Sequence, residues 1–139
     1  MKATVTCSEG LLFTGRADSG HSIVMDGAKE VGGSDSGPRP SELLLLSLAG
    51  CTGMDVVSIL RKKRQSVTSL QVSVSGDQPD EYPAAFRTLK VTYTIRGENI
   101  DPEAVRRAIE LSEEKYCSVG ATLKEEVQIT SDFEIVSGS

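Results

Sequence analysis

The sequence predicts a single α+β domain over residues 1–139, with the element order βββαββααβ. Two segments, 67–76 and 88–96, alternate apolar and polar residues with the period of half-buried strands in an antiparallel sheet. A long apolar segment from Pro40 to about Arg64 has the length of a helix rather than a strand. A chain of this length can bury one core but is short for two, so we expect one domain.

Three short strand-like segments open the chain, at residues 3–7, 11–16 and 22–26. The residues between them are typical of turns, which predicts an antiparallel meander. Residues 27–40 are rich in Gly, Ser, Asp and Pro, and they predict a loop that could form a lid or a binding edge.

The central helix is expected to begin near Pro40, which suits a first helical turn, with Glu42 near the positive end of the helix dipole. Its first half, ELLLLSLAGC, is apolar nearly all the way round, so the helix must be covered on all sides. One small chain offers few elements for that purpose, and a second copy is the simplest cover. We therefore expect a homodimer.

The C-terminal part predicts two helices and a strand. Asp101 and Pro102 suit the cap and the first turn of an amphipathic helix that ends close to Cys117. A short helix at 118–126 and a final strand at 127–136 complete the order.

Composition excludes several classes of function. A net charge of −5 and 4% aromatic residues argue against a nucleic-acid surface, which needs basic and stacking groups. The first residues lack the apolar core of a signal peptide, and we expect no membrane-spanning run, so the predicted location is cytoplasmic. His21 is the one histidine, and its turn-like surroundings predict an ordinary surface residue.

Three cysteines, Cys7, Cys51 and Cys117, are too few and too widely spaced to suggest a zinc site or a disulfide framework. Cys7 is expected to pack on the first strand. Cys51 in an apolar helix is by itself more often a small core residue. However, Gly50 and Gly53 beside it weaken the helix, which indicates a close approach of another backbone or a substrate path. Cys117 lies at a helix junction, where a thiol could react.

Two segments carry a resemblance to a known family. The stretches GPRPSELLLLSLAGCTGMDVVSIL and LSEEKYCSVGATL resemble the OsmC/Ohr superfamily of osmotically induced and organic hydroperoxide resistance proteins. Within it, CTGMDVVSILRKKRQ and KYCSV are most similar to the YhfA-like branch. The resemblance covers essentially the whole chain. It implies an OsmC-like fold, with antiparallel sheets around a long central helix, and an intertwined dimer.

The resemblance also implies an activity. Members with known activity are thiol-dependent peroxidases that reduce organic hydroperoxides and peroxide. Cys51 would be the peroxidatic thiolate, Cys117 would be the resolving thiol that closes a disulfide, and a dithiol reductant such as a lipoyl group would regenerate the pair. No metal and no organic cofactor is expected. The alternative is a non-enzymatic stress protein of the same fold that binds a small apolar or acyl ligand near the cysteines.

Two further site residues follow from the resemblance. Arg16 and Glu42 correspond to an arginine and a glutamate that hold the cysteine as a thiolate, and Arg39 is a second candidate for the arginine. Nine residues separate Glu42 from Cys51, about 13.5 Å of rise and about 180° of rotation on a straight helix. The helix would have to begin after Glu42 or bend, Arg16 would have to bridge the two, or they would meet across a subunit boundary.

Asp55 is the carboxylate that shares a helix face with Cys51, at i+4. An anion in that position raises the pKa of a thiol and opposes thiolate chemistry. We therefore interpret Asp55 as a structural hydrogen-bonding residue.

Overall fold

The computed structural model describes residues 1–138 and divides into two compact units, Met1–Leu44 and a second that begins at Leu45. The predicted order βββαββααβ is confirmed, with a short 3₁₀ turn and a π-helical turn in addition. The elements are β1 (Ala3–Glu9), β2 (Leu12–Ala17), β3 (Ser22–Met25), a 3₁₀ turn (Lys29–Val31), α1 (Pro40–Lys62), β4 (Ser66–Gly76), β5 (Thr88–Glu98), α2 (Pro102–Leu111), a π-helical turn (Ser112–Tyr116), α3 (Ser118–Leu123) and β6 (Gln128–Ser137).

The first unit contains the predicted meander, a three-stranded antiparallel sheet in the order β1-β2-β3. The expectation that Cys7 is a packing residue on the first strand is wrong. Every residue of β1 is exposed, and the Cys7 thiol donates to the carbonyl oxygen of Gly10 at 3.4 Å. His21 is exposed, as predicted.

The loop after β3 is tied down by a buried carboxylate. Asp26 accepts the backbone N–H groups of Gly27, Ser34 and Ser36 at 2.7, 3.2 and 3.1 Å. Burial alone would raise the pKa of Asp26, but these donors and the charge of Arg39 lower it below its usual value. The loop therefore has a fixed path into α1.

Helix α1 begins at Pro40 as predicted and ends at Lys62. One stripe of it is buried, with residues spaced four apart, and this stripe faces the core of the second unit: Leu48, Thr52, Val56 and Leu60. On the side of the helix away from this stripe, the described residues leave apolar side chains uncovered, since Leu46 is 59% and Met54 is 73% exposed.

By length and composition α1 could also cross a membrane, because an 18-residue window reaches a mean hydropathy of 2.0. The expectation that no such run exists is therefore wrong. A helix at the centre of a soluble protein can meet the same criterion.

The second unit contains a three-stranded sheet in the order β4-β5-β6. Strands β4 and β5 are antiparallel, as predicted, and β5 buries every second residue. The expectation of purely antiparallel sheets is wrong at β6, which pairs in parallel with β5 from Gln128 to Ser137. A parallel neighbour requires a crossover connection, and α2, the π-helical turn and α3 provide it.

The crossover begins as predicted and buries one face. The Asp101 carboxylate caps α2 by accepting the N–H of Glu103 at 3.0 Å, and Pro102 occupies the first turn. Val105 and Ala108 are fully buried in the same apolar cluster as Leu60 of α1 and Ile95 of β5. This cluster fixes α1, which carries Cys51, against the crossover, which carries Cys117.

Candidate functional site

Two cysteines that are far apart in the sequence meet beside a carboxylate. Cys51 lies on α1, and Cys117 follows the π-helical turn and caps α3. The sulfur atoms of Cys51 and Cys117 and a carboxylate oxygen of Asp55 all lie within 4.8 Å of one another. All three cysteines of the chain are free thiols. The fold therefore brings together the two cysteines that the family resemblance pairs.

Cys51 is half-buried and surrounded by hydrogen-bond donors. Burial would raise the pKa of its thiol, but the backbone N–H of Val119, the Cys117 thiol and the Ser118 hydroxyl donate to the sulfur. These donors outweigh burial and the opposing charge of Asp55, so the pKa of Cys51 is lowered below its ordinary value. The opposing effect of Asp55 has the predicted sign.

The thiol of Cys117 is harder to ionise than an ordinary cysteine thiol. Its side chain is 4% exposed, and burial raises the pKa of its thiol to about 11. The backbone N–H of Gly120 donates to the sulfur at 3.3 Å and lowers the pKa, whereas Cys51 and Asp55 raise it further. Cys51 is therefore the thiol that ionises first, and Cys117 keeps its proton.

Asp55 belongs to a chain of hydrogen bonds that runs into the core. The Ser112 hydroxyl donates to Oδ2 of Asp55 at 2.9 Å. Thr52 Oγ1 lies 2.8 Å from Ser112 Oγ and 2.7 Å from the hydroxyl of Tyr93. Burial raises the pKa of Tyr93 to about 12, so its hydroxyl keeps its proton. The structural hydrogen bond assigned to Asp55 from sequence is present.

Sequence reasoning missed the three hydroxyl groups of this chain. A signal was available for Thr52, a polar residue on the buried stripe of α1, and for Ser112, which extends the apolar spacing of α2. Tyr93 lies on the buried face of β5 and gave no sign that its hydroxyl would meet a partner. The π-helical turn places Ser112 at 0% exposure, against α1.

A small cavity opens next to Cys117 in the second unit. Its volume is about 140 Å³. Apolar side chains form most of its wall, and Glu113 and Lys124 are its charged groups. The lining residues are Leu48, Thr52, Val91, Tyr93, Glu113, Cys117, Gly120, Lys124 and Ile129.

The same three atoms are also the candidate donors for a metal ion. Two sulfurs and one oxygen within 4.8 Å would leave at least one position of a tetrahedral zinc site to another ligand. The expectation that the protein needs no metal and no organic cofactor stays a prediction.

The glycines beside Cys51 differ. A Cβ atom at Gly53 would lie 3.2 Å from a side-chain carbon of Val72 on β4, so a side chain and not another backbone comes close there. At Gly50 a Cβ atom would meet nothing within 4 Å among the described residues, so no other backbone comes close there, and a substrate path at Gly50 stays a prediction.

The remaining predicted site residues lie in the first unit. Arg16 is exposed on β2, opposite Thr4 and Ser22, and it forms no ion pair within residues 1–138. Arg39 is engaged locally, with Nη1 2.8 Å from the Asp35 carboxylate and 3.0 Å from the Gly37 carbonyl. The roles of Arg16 and Arg39 at the thiolate stay predictions.

Glu42 has a local partner. Its Oε1 atom accepts the backbone N–H of Arg39 at 2.8 Å, which caps the start of α1. Because α1 already begins at Pro40, the helix does not start after Glu42, and that explanation for pairing Glu42 with Cys51 is excluded. The role of Glu42 at the thiolate stays a prediction.

The sequence of this chain is similar to those of known proteins. A sequence profile of the family described as OsmC-like protein matches residues 33–132. The chain belongs to the OsmC-like family. Protein YhfA of Escherichia coli strain K12 is 40% identical to this OsmC-like chain over 137 residues, which is 99% of each sequence. The family resemblance is thereby confirmed.

Solved structures share the OsmC-like fold. A hypothetical protein from Aquifex aeolicus is 28% identical with a TM-score of 0.85, and the match covers 99% of this chain and 97% of that one. An organic hydroperoxide resistance protein from Elizabethkingia anophelis, with thiocyanate bound, has a TM-score of 0.66 at 16% identity, covering 99% and 94% of the two chains. At 16% identity, the match to the Elizabethkingia anophelis protein shows only that the two chains share a fold.

The two thiols should titrate separately. In a Cys7→Ser background, which removes the exposed thiol, the rate of iodoacetamide alkylation against pH should show Cys51 reacting below the pH range of an ordinary thiol and Cys117 reacting only near pH 11. Mass spectrometry of the alkylated peptides assigns each rate to its cysteine. Equal profiles for the two sites would contradict the asymmetry.

Proposed function

We propose that this protein is a thiol peroxidase that reduces small organic hydroperoxides and hydrogen peroxide. The Cys51 thiolate attacks the terminal hydroxyl oxygen of the hydroperoxide and the O–O bond breaks, which oxidises Cys51 to a sulfenic acid. The alkoxide, or hydroxide in the case of hydrogen peroxide, takes a proton from solvent and leaves as the alcohol or as water. Cys117 then attacks the Cys51 sulfur, which releases water and forms the disulfide. A dithiol reductant, for which a lipoyl group is our first candidate, restores both thiols.

The observation that carries this proposal is the difference between the two thiols. A peroxidatic cysteine must be a thiolate at neutral pH, and the donors around Cys51 favour that form. A resolving cysteine must stay reduced until the first has reacted, and burial keeps Cys117 protonated. Their sulfur atoms are already within 4.8 Å, so a short movement brings them to bonding distance.

The cavity is lined by Cys117, whose sulfur atom lies within 4.8 Å of the Cys51 sulfur, and its size supports a small substrate. Its volume of about 140 Å³ is below the roughly 300 to 1,000 Å³ of pockets that hold drug-sized ligands. This size suits a small organic hydroperoxide rather than a ligand with a long acyl chain. The fold is shared with proteins named for organic hydroperoxide resistance. We also propose that the protein works in the cytoplasm, where dithiol reductants are available.

The three cysteines should affect the reaction with hydroperoxide differently. In stopped flow, reduced protein should consume one equivalent of cumene hydroperoxide rapidly, Cys51→Ser should abolish this reaction, and Cys117→Ser should stop at a sulfenic acid that dimedone traps. Cys7→Ser is the matched control, because Cys7 is exposed on β1.

If the hydroperoxide is consumed slowly and no cysteine substitution changes the rate, the proposed peroxidase activity is refuted. It would instead favour the non-enzymatic alternative, a stress protein that holds a small apolar or acyl ligand. Titration with short-chain fatty acids, followed by the intrinsic fluorescence of the tyrosines, would then measure that binding.

Arg16 is our proposed cation for the thiolate, with Glu42 to orient it. Arg39 already pairs with Asp35, whereas Arg16 forms no ion pair among residues 1–138, which favours Arg16. Arg16→Gln should raise the pKa of Cys51 and slow peroxide reduction at least about tenfold at neutral pH. Arg39→Gln should leave the rate unchanged. The opposite ranking of the two variants would transfer the role to Arg39.

We also propose that the protein is a homodimer. The uncovered face of α1, with Leu46 and Met54, forms a groove with Gly53, Leu70 and Val72 that another copy of the chain could fill. A groove of this kind is rare on the surface of a monomer. Among residues 1–138, Arg61 is the one charged residue that lines it, which favours an apolar partner face.

Substitution of that face tests the dimer. Met54→Glu places a charge in the groove and should convert the protein to a monomer, measured by light scattering after size-exclusion chromatography. Val31→Glu, at an exposed position in the loop before α1, is the control and should stay dimeric. A monomeric parent protein would refute the proposal outright.

A further inference from the structure

The hydrogen-bonded chain behind Asp55 has no role in the reaction as described so far. Thr52, Ser112 and Tyr93 are 2%, 0% and 1% exposed, and together they hold one oxygen of the Asp55 carboxylate. Buried hydroxyl groups that satisfy one another in this way fix the geometry of the group at the end of the chain. That group is a carboxylate within 4.8 Å of both reactive sulfurs.

The resolving step requires the proton of Cys117 to leave. Burial raises the pKa of Cys117 to about 11, so its thiol carries its proton at pH 7. The charged or titratable groups around it are Cys51, Asp55, Tyr93, Glu113 and Lys124, the last three on the cavity wall. Asp55 is the one among them that also lies next to Cys51, where the new bond forms.

We propose that Asp55 is the general base of the resolving step. It accepts the proton from Cys117 as the Cys117 sulfur attacks Cys51. This role depends on the proposed function, because it concerns the second step of the same cycle.

The step balances with the groups present. The Cys117 sulfur donates an electron pair to the Cys51 sulfur, the S–O bond of the sulfenic acid breaks, and hydroxide leaves. The proton moves from Cys117 to Asp55 and then to the hydroxide, which leaves as water. A separation of up to 4.8 Å is bridged by a side-chain rotation or by one water molecule, the range expected for a base in a resting site.

A general-base role and a purely electrostatic role of Asp55 predict opposite effects of Asp55→Asn on the rate of disulfide closure. The negative charge of Asp55 raises the pKa of both thiols. If Asp55 acted through its charge alone, Asp55→Asn would lower the pKa of Cys117 and accelerate disulfide closure. If Asp55 removes the proton, the same variant slows closure.

The test needs no peroxide. In the Cys7→Ser background, one equivalent of 5,5′-dithiobis(2-nitrobenzoate) labels Cys51 and releases one thionitrobenzoate anion. Attack by Cys117 on that mixed disulfide releases the second anion and closes the disulfide. Stopped-flow absorbance gives the rate of the second release between pH 6 and pH 9, and Cys117→Ser, which should release one anion only, confirms the assignment.

We expect Asp55→Asn to slow the second release at least about tenfold at pH 7, since a general base typically contributes a factor of about 100 to 10,000. The difference should shrink as the pH rises toward the pKa of Cys117, where a base is no longer needed. Glu110→Gln, a carboxylate variant on the exposed side of α2, should behave as the parent. Formate should restore part of the rate to Asp55→Ala, which offers a second route if the Asn variant folds poorly.

Closure in Asp55→Asn that is as fast as in the parent, or faster, would overturn the proposal. So would a slowing by the same factor at every pH, since that is the mark of a structural defect. Failure of the protein to react with hydroperoxide would refute the proposed function while leaving this result intact, because the assay uses an aryl disulfide in place of the peroxide.

Discussion

The site depends on the packing of the crossover against α1. The apolar cluster that includes Leu60, Val105 and Ala108 holds α2 on the helix, and the π-helical turn then directs Ser112 and Cys117 toward Thr52, Asp55 and Cys51. The parallel pairing of β5 with β6 requires that crossover. The same connection that completes the sheet therefore supplies half of the reactive pair.

A few hydrogen-bond donors near the two sulfur atoms decide which of the two thiols ionises first. Cys51 and Cys117 have the same side chain and share Asp55 as a neighbour, yet their pKa values move in opposite directions. Three donors reach Cys51, whereas Cys117 is more deeply buried and donates its own proton. The site therefore contains one thiol that ionises readily, Cys51, and one that keeps its proton, Cys117.

Much of the fold could be predicted from the sequence, because the period of β5, the cap at Asp101 and the length of α1 are local signals. The parallel partner of β5 could not, since strand direction depends on the path of the crossover. For the site, the family motif indicates both cysteines and spacing places Asp55 beside Cys51. The hydroxyl chain through Ser112 depends on a π-helical turn for which the sequence has no clear signal.

The most direct test of the account is the product of a single turnover. Reduced protein should be treated with one equivalent of cumene hydroperoxide at pH 7, quenched with an alkylating agent, digested and analysed by mass spectrometry. The account predicts an intramolecular disulfide between Cys51 and Cys117, with Cys7 alkylated and one equivalent of alcohol formed. Recovery of Cys51 and Cys117 as alkylated thiols, with the hydroperoxide unconsumed, would contradict it.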